Sequence, residues 1–178
     1  AVSRVFTPGG SASKRTVEKV RQAAQEMGYR PNVLARAMIT GKSRIIGLVV
    51  AYLDNQFYPL AVERLSVALQ KQGYHVLVFM APTSNSDVEQ VVQEILDYQV
   101  DGIVLASVLM SSPLAARCDD LGIPVVLFNR TQPDARLASV SANNVEGGRQ
   151  IAHHLVTGGA QRIGYIAGFE GASTQIDR

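Results

Sequence analysis

Basic side chains are concentrated in the first 44 residues of the chain. This stretch carries nine Lys and Arg against two Glu, a net charge of +7, whereas residues 45–178 carry eight Lys and Arg against thirteen Asp and Glu, a net charge of −5. Clustered Lys and Arg side chains neutralise phosphates, so the amino-terminal end predicts contact with a polyanion such as DNA. A solvated basic face is the alternative interpretation of the charge alone.

A second group of candidate residues follows the predicted strands. In an open parallel sheet, the loops beyond the carboxyl ends of the strands meet at one edge, and ligands bind there. Phe57 and Tyr58 could stack on a planar or sugar-like ligand, and Arg130 could pair with an anionic or hydroxyl group. The alternatives are packing of the two aromatic rings on the core and a solvated charge at Arg130.

Signatures of catalysis and of cofactor binding are missing from the sequence. The segment TGGAQRIG at 157–164 looks like the nucleotide loop of a short-chain dehydrogenase. However, Arg162 occupies a position that requires glycine, and the segment precedes a strand instead of joining a strand to a helix. The one cysteine, Cys118, lies in a predicted helix, where a packing role is expected. Since no nucleophile–base pair and no His/Cys cluster is visible, we expect a protein that is not an enzyme and that uses no cofactor and no metal.

Apolar runs alternate with helix-length segments from residue 45 onward. The runs predict strands at 45–51, 74–80, 101–107, 124–128 and 162–168. The segments between them predict helices at about 58–72, 86–99, 112–121 and 144–157. This order is typical of an α/β fold, a doubly wound parallel sheet with right-handed crossovers.

Short helices are predicted at the basic end of the chain. Residues 2–6 have helical character, and a serine at position 11 or 13 can cap a second helix that runs to about Met27. Gly28 is suited to ending that helix. A further helix, from Asn32 to about Ile39, has little apolar surface and at roughly eight residues would be marginal without a partner. Because the chain opens inside a helix and stops soon after the last predicted strand, we expect residues to be missing at both ends.

Several segments together resemble the LacI/GalR family of bacterial transcription regulators. They are AVSRVF, SKRTVEKVRQAAQEMGYRPNVLARAM, TGKSRIIGLVV, NQFY, DGIVL, IPVVLFNR, NNVEGGRQIAHHLV and RIGYIAG, in the family's order. The resemblance implies a helix-turn-helix headpiece, a hinge helix and a two-lobed core that binds a small effector and is similar to periplasmic binding proteins. By position, residues 1–28 would be a partial helix-turn-helix domain, 29–44 the hinge helix and linker, 45–168 the amino-terminal lobe of the effector-binding domain, and 169–178 the start of the crossover to a second lobe.

The resemblance also implies roles for individual residues. Those implied for DNA binding are Ser3 and Arg4 in the recognition helix and Tyr29, Asn32, Ala35 and Met38 in the hinge. Met38 would insert between base steps in the minor groove. Those implied for effector binding are Phe57, Tyr58, Arg130, Ser173 and Thr174. The sequence departs from the family pattern at Asn143, where Asp is usual, and at Ala160, where His is common.

We therefore expect a ligand-responsive, sequence-specific DNA-binding regulator of the repressor type. It would act in the cytoplasm as a homodimer on palindromic operator DNA, without contact with a membrane, and its effector would be a sugar or a related metabolite. An effector bound between the lobes would change the lobe and dimer geometry, and thereby order or melt the hinge helices. The alternative is a periplasmic-type sugar-binding protein, which predicts a secretion signal and no basic headpiece. A nucleotide-dependent enzyme would need a glycine loop after the first strand.

Overall fold

The computed structural model describes residues 2–6, 10–29, 41–81, 85–168 and 170–178. The chain divides into two compact units: an amino-terminal unit, Ala1–Ser43, and an α/β unit, Arg44–Arg178. The helix predicted from Asn32 to Ile39 lies outside the described residues.

The amino-terminal unit contains two described helices, α1 (Val2–Phe6) and α2 (Lys14–Glu26). Ser13 is the N-cap of α2, because its Oγ accepts a hydrogen bond from the Thr16 backbone N–H at 3.3 Å. This bond satisfies one of the N–H groups that a helix start leaves without an internal partner. After α2, Gly28 has a φ of 62°, the left-handed conformation that glycine adopts without strain. The predictions for this helix and its end are confirmed, with Ser13 as the cap.

The α/β unit is a parallel sheet flanked by helices. Its strands are β1 (Ile45–Val50), β2 (His75–Met80), β3 (Gly102–Ala106), β4 (Val125–Phe128) and β5 (Ala138–Val140). Its described helices are α3 (Phe57–Lys71), α4 (Asn85–Asp97), α5 (Ser112–Asp120), α6 (Asn144–Thr157) and α7 (Ser173–Ile176). The strand order is β2-β1-β3-β4-β5, and every pair is parallel. The predicted doubly wound α/β fold is confirmed.

Each face of the sheet packs on different helices. On one face, strand residues pack on α4 and α5 in a buried cluster that includes Val49, Ile103, Leu105, Leu127, Val92, Ile95, Leu114 and Cys118. On the other face, a smaller buried cluster joins the strands to α3 and comprises Leu48, Val50, Tyr58 and Ala106. Interior strands that are covered on both faces require near-continuous apolar sequence, and this is the pattern that β1 and β3 have.

Two residues show how closely the α4 and α5 face is packed. Cys118 is 1% exposed, and burial raises the pKa of its thiol, so the predicted packing role is confirmed. Gly47 lies opposite Ile95 of α4, and a Cβ added at this glycine would stand 2.6 Å from the Ile95 Cγ2. The helix can therefore approach β1 only because residue 47 has no side chain.

The prediction of a strand at 162–168 is wrong. In the structure this segment is irregular, its residues are exposed, and Ile166 reaches 98% exposure. The fifth strand is Ala138–Val140, which pairs with β4 through Val126 opposite Ala138 and Phe128 opposite Val140. An apolar run becomes a strand only where a neighbouring strand takes up its backbone N–H and C=O groups. Among the described residues, no strand pairs with 162–168.

Candidate ligand-binding site

A cavity of about 770 Å³ lies where the strands of the α/β unit end. We call it the carboxyl-edge cavity. Its lining comes from the residues that follow β1, β3, β4 and β5 and from the segment between Gly168 and Arg178. Four of the five loops predicted to meet at this edge therefore contribute to it, and the fifth, at 82–84, lies outside the described residues. The position agrees with the general location of ligands in open parallel sheets.

Aromatic rings form one wall of the carboxyl-edge cavity. Phe57 stacks on Phe128 with the ring centroids 5.8 Å apart and the planes 5° from parallel. Tyr58 meets Phe57 edge-on at 5.1 Å and Tyr52 edge-on at 4.9 Å. Phe57 is 46% exposed and Tyr58 is 2% exposed. The Tyr58 ring is thus a core residue, as in the alternative interpretation, while Phe57 presents apolar surface on which a ring-shaped ligand can stack.

Hydroxyl and amide groups form a polar network beside the aromatic wall. Asn129 Nδ2 donates to Tyr58 Oη at 3.0 Å, and the Tyr52 hydroxyl makes hydrogen bonds with the side chains of Tyr58 and Ser107. Burial raises the pKa of Tyr52 above its ordinary value; the Tyr58 contact adds to this rise, and the hydrogen bond to Ser107 and the charge of Arg130 oppose it. Such groups are suited to hydrogen bonding with ligand hydroxyls.

The backbone is strained at two residues of this network. Ser107 has a φ of 65° and Asn129 a φ of 59°. Both residues directly follow strands, β3 and β4 respectively, and both line the carboxyl-edge cavity. A non-glycine residue in the left-handed region costs about 1–3 kcal/mol and is concentrated at functional sites. The strain directs both side chains to the same edge of the sheet.

Two arginines supply the charge of the cavity. Arg130 follows β4 and is half-buried, and Arg178 follows α7. Arg178 Nε donates to Asn144 Oδ1 at 2.8 Å, and Asn144, which is 6% exposed, donates its Nδ2 to the Ala142 carbonyl at 3.1 Å. Within the described part of the chain, neither arginine forms an ion pair with a carboxylate. Both guanidinium groups can therefore bind a ligand.

Most of the residues predicted for effector binding lie together. Four line the carboxyl-edge cavity, namely Phe57, Tyr58, Arg130 and Thr174. Ser173 does not line it; its Oγ accepts the Thr131 backbone N–H at 3.0 Å and so ties α7 to the loop after β4. Sequence reasoning missed Tyr52, Asn129 and Arg178. The first two stand within two residues of a strand end, a signal that could have identified them, whereas no strand precedes Arg178.

The residues predicted for DNA contact belong mainly to the amino-terminal unit. Arg4 is exposed, as are four basic residues in or near the first half of α2, namely Lys14, Arg15, Lys19 and Arg21. Tyr29 is 53% exposed, and its ring contacts that of Phe6 with centroids 5.7 Å apart. The side chain of Ser3 and the residues Asn32, Ala35 and Met38 lie outside what the structure describes.

Metal and membrane sites were sought in the same part of the chain. Among the described residues, no group of three or more His, Cys, Asp or Glu could hold a metal ion. In those same ranges, no helix has the length and apolar character that crossing a bilayer requires.

Comparison with known proteins gives one consistent group of relatives. Residues 46–178 match the family model for the periplasmic binding protein domain. The chain is 31% identical, over 99% of its length, to the HTH-type transcriptional regulator CelR of Thermobifida fusca, of which it covers 54%. It is 33% identical, over 97% of its length, to the sucrose operon repressor of Streptococcus mutans, of which it covers 53%. The chain thus spans about half the length of the curated relatives it matches.

Solved structures share the fold. A transcriptional regulator CelR–cellobiose complex aligns with a TM-score of 0.65 at 28% identity, over 98% of this chain and 53% of that one. The lac repressor dimer bound to operator and the anti-inducer ONPF aligns with a TM-score of 0.80 at 24% identity, over 94% of this chain and 51% of that one.

Proposed function

The chain belongs to the LacI/GalR family of transcription regulators, with a periplasmic binding protein domain over residues 46–178, and we propose that it acts as a ligand-responsive, sequence-specific DNA-binding repressor. The observation that carries the proposal is the presence in one chain of a basic helical unit and an α/β unit with a polar, aromatic-walled cavity. In this proposal the protein is not an enzyme, and it works in the cytoplasm, where its DNA is.

The amino-terminal unit would supply the DNA contacts. Its exposed Lys and Arg side chains on and before α2 suit phosphate binding, and Arg4 suits the reading of a guanine edge in the major groove. Ser3 and Tyr29 would contact the DNA backbone. Asn32, Ala35 and Met38 would belong to a hinge helix that enters the minor groove, with Met38 as an apolar wedge. A homodimer on a palindromic operator would place two such units at symmetric half-sites.

The carboxyl-edge cavity would bind the effector. Phe57 and Phe128 offer a stacking surface, and the Tyr52, Ser107 and Asn129 side chains offer hydrogen bonds, a combination that suits a sugar or a related metabolite. The relative CelR was solved with cellobiose, which is a sugar. Effector binding would change the lobe and dimer geometry, and through it the folding of the hinge, because a short helix without a partner is marginally stable.

The test is DNA binding by the intact protein. Duplexes are selected from a random pool, labelled, and titrated by fluorescence anisotropy at several salt concentrations. We expect a logarithm of the association constant that falls linearly with the logarithm of salt concentration, and a shallower slope when Lys19 and Arg21 are both replaced by Gln. Glu18→Gln is the control that leaves the basic residues intact. Sugar binding without any salt-dependent DNA binding would favour the periplasmic-type binding protein instead.

A hinge role is tested separately in the same assay. Replacing Leu34 and Met38 by Gly lowers helix propensity and removes the apolar wedge. The hinge proposal predicts weaker operator binding and an altered effector response. Unchanged affinity together with an unchanged response would remove the hinge from the mechanism.

A further inference from the structure

We propose that the ligand of the carboxyl-edge cavity carries an anionic group, either a phosphate or a carboxylate, attached to a sugar-like ring. This inference rests on the proposed function, and it narrows the effector from sugars in general to charged derivatives of sugars.

The charges that line the carboxyl-edge cavity all have one sign. Its described lining includes Arg130 and Arg178 but no Asp and no Glu. The neighbouring carboxylates are outside it: Asp54 accepts the Asn55 backbone N–H at 3.1 Å, and Asp177 does not line the cavity. A neutral ligand that covered the site would remove water from two guanidinium groups without giving them a counter-charge, which is unfavourable. An anionic ligand supplies that charge.

Arg178 is positioned by an amide and not by a carboxylate. Asn144 Oδ1 accepts from Arg178 Nε at 2.8 Å, and Asn144 is itself fixed by its bond to the Ala142 carbonyl. The amide orients the guanidinium and leaves its positive charge intact. In the described part of the chain, the terminal nitrogens of Arg178 have no partner. A planar pair of N–H donors is the arrangement that binds carboxylate or phosphate through two hydrogen bonds.

Arg130 approaches the cavity from the other side of the strand edge. It is half-buried directly after Asn129, and its charge acts on the Tyr52 hydroxyl. The amino end of α3, a helix of 15 residues, also lines the cavity through Phe57 and Tyr58. The positive end of that helix dipole has the same sign as the two arginines. Three sources of positive potential therefore act on one cavity.

The ring part of the ligand follows from the aromatic wall. Phe57 is 46% exposed and lies nearly parallel to Phe128, so an apolar ring face can stack there while an attached anion reaches the arginines. Free phosphate would use the arginines alone, and an uncharged sugar would use the aromatic wall alone. A charged sugar uses both.

Matched ligand sets test the inference. Glucose, glucose 6-phosphate and gluconate form one set, fructose and fructose 6-phosphate another, and inorganic phosphate is the probe for the anion site alone. Each is titrated into the intact protein by calorimetry and by thermal shift. We expect a charged member to bind at least about tenfold more tightly than its neutral counterpart, the effect of one charge-assisted hydrogen bond. The phosphate and carboxylate arms identify the anion.

Arginine variants locate the binding. Arg130→Gln and Arg178→Gln should each weaken the charged ligand by about 10- to 100-fold and leave any neutral sugar nearly unchanged. Arg149→Gln is the control, since Arg149 is exposed, pairs with Glu146 at 2.7 Å and does not line the cavity. It also reports anion binding to basic residues elsewhere, such as those of the amino-terminal unit.

Two results would overturn the inference. One is binding of the neutral member as tight as that of the charged members in every set. The other is a change below about twofold in both arginine variants, against the 10- to 100-fold expected. Operator binding is measured in the same samples: if it persists, only the anionic ligand is wrong, and if it is absent, the proposed function fails as well.

Discussion

Tyr58→Phe removes one atom from the polar network and leaves the ring in place. The Tyr58 hydroxyl accepts from Asn129 Nδ2 at 3.0 Å and bonds to Tyr52, and the residue is 2% exposed. The ring packing on Phe57 and Tyr52 survives the change, so the loss is confined to hydrogen bonding. Removing one partner leaves a half-buried amide donor unpaired, which costs about 1–3 kcal/mol. Because Asn129 is only partly buried, we expect a loss near the lower end, about 1–2 kcal/mol.

The assay is urea unfolding of the intact protein followed by circular dichroism. Tyr98→Phe is the matched control: Tyr98 is 55% exposed and its ring meets Phe79 edge-on, so loss of its hydroxyl should change the free energy of unfolding by less than about 0.5 kcal/mol. A double-mutant cycle with Asn129→Ala isolates the pair, and its interaction energy should be at least about 0.5 kcal/mol. A Tyr58→Phe variant as stable as the control, with no coupling to residue 129, would refute the network.

Three further predictions concern other parts of the chain. Gly47→Ala should lower the free energy of unfolding by about 1–3 kcal/mol in urea titrations, since its Cβ would stand 2.6 Å from Ile95 Cγ2; an unchanged midpoint would contradict the packing of α4. Ser13→Ala should cost about 1 kcal/mol of stability by removing the N-cap of α2, measured as lost helicity on heating; equal helicity would exclude the cap. Hydrogen bonds from Arg136 lower the pKa of Asp134 to about 2. The stabilisation by this pair should be complete above the ordinary carboxyl pKa and lost as pH falls towards 2, and an NMR titration of Asp134 that is the same in Arg136→Gln would contradict it.

Strands β1 to β4 could be predicted because each is a run of apolar residues covered on both faces. Burial on both sides removes the alternation that a half-exposed strand shows, so IIGLVV and GIVLA are legible without any partner being known. The helices were predicted for a related reason, since their apolar residues recur at helical spacing and glycine ends them. Gly73 and Gly122 have φ values of 78° and 67°, as this role requires.

The fifth strand could not be predicted in the same way. Ala138–Val140 has three exposed residues, and β4 alone makes it a strand through backbone pairing that its sequence does not encode. The run at 162–168 has the opposite property, an apolar sequence without a described neighbour. For the carboxyl-edge cavity, Arg130 was found because it follows a strand, but Arg178 depends on the path of the chain after 168 and on its bond to Asn144. Such long-range contacts leave no local pattern.

The central claim is that ligand binding in the α/β unit controls DNA binding by the amino-terminal unit. The most direct test titrates the selected operator duplex into intact protein by anisotropy, with and without a saturating ligand from the binding screen, in the natural protein and in Arg130→Gln. We predict that the ligand changes operator affinity by at least about fivefold, the lower end of measured coupling between sites, and that Arg130→Gln loses this response while still binding DNA. Equal operator affinity with and without a ligand whose binding has been verified would contradict the claim.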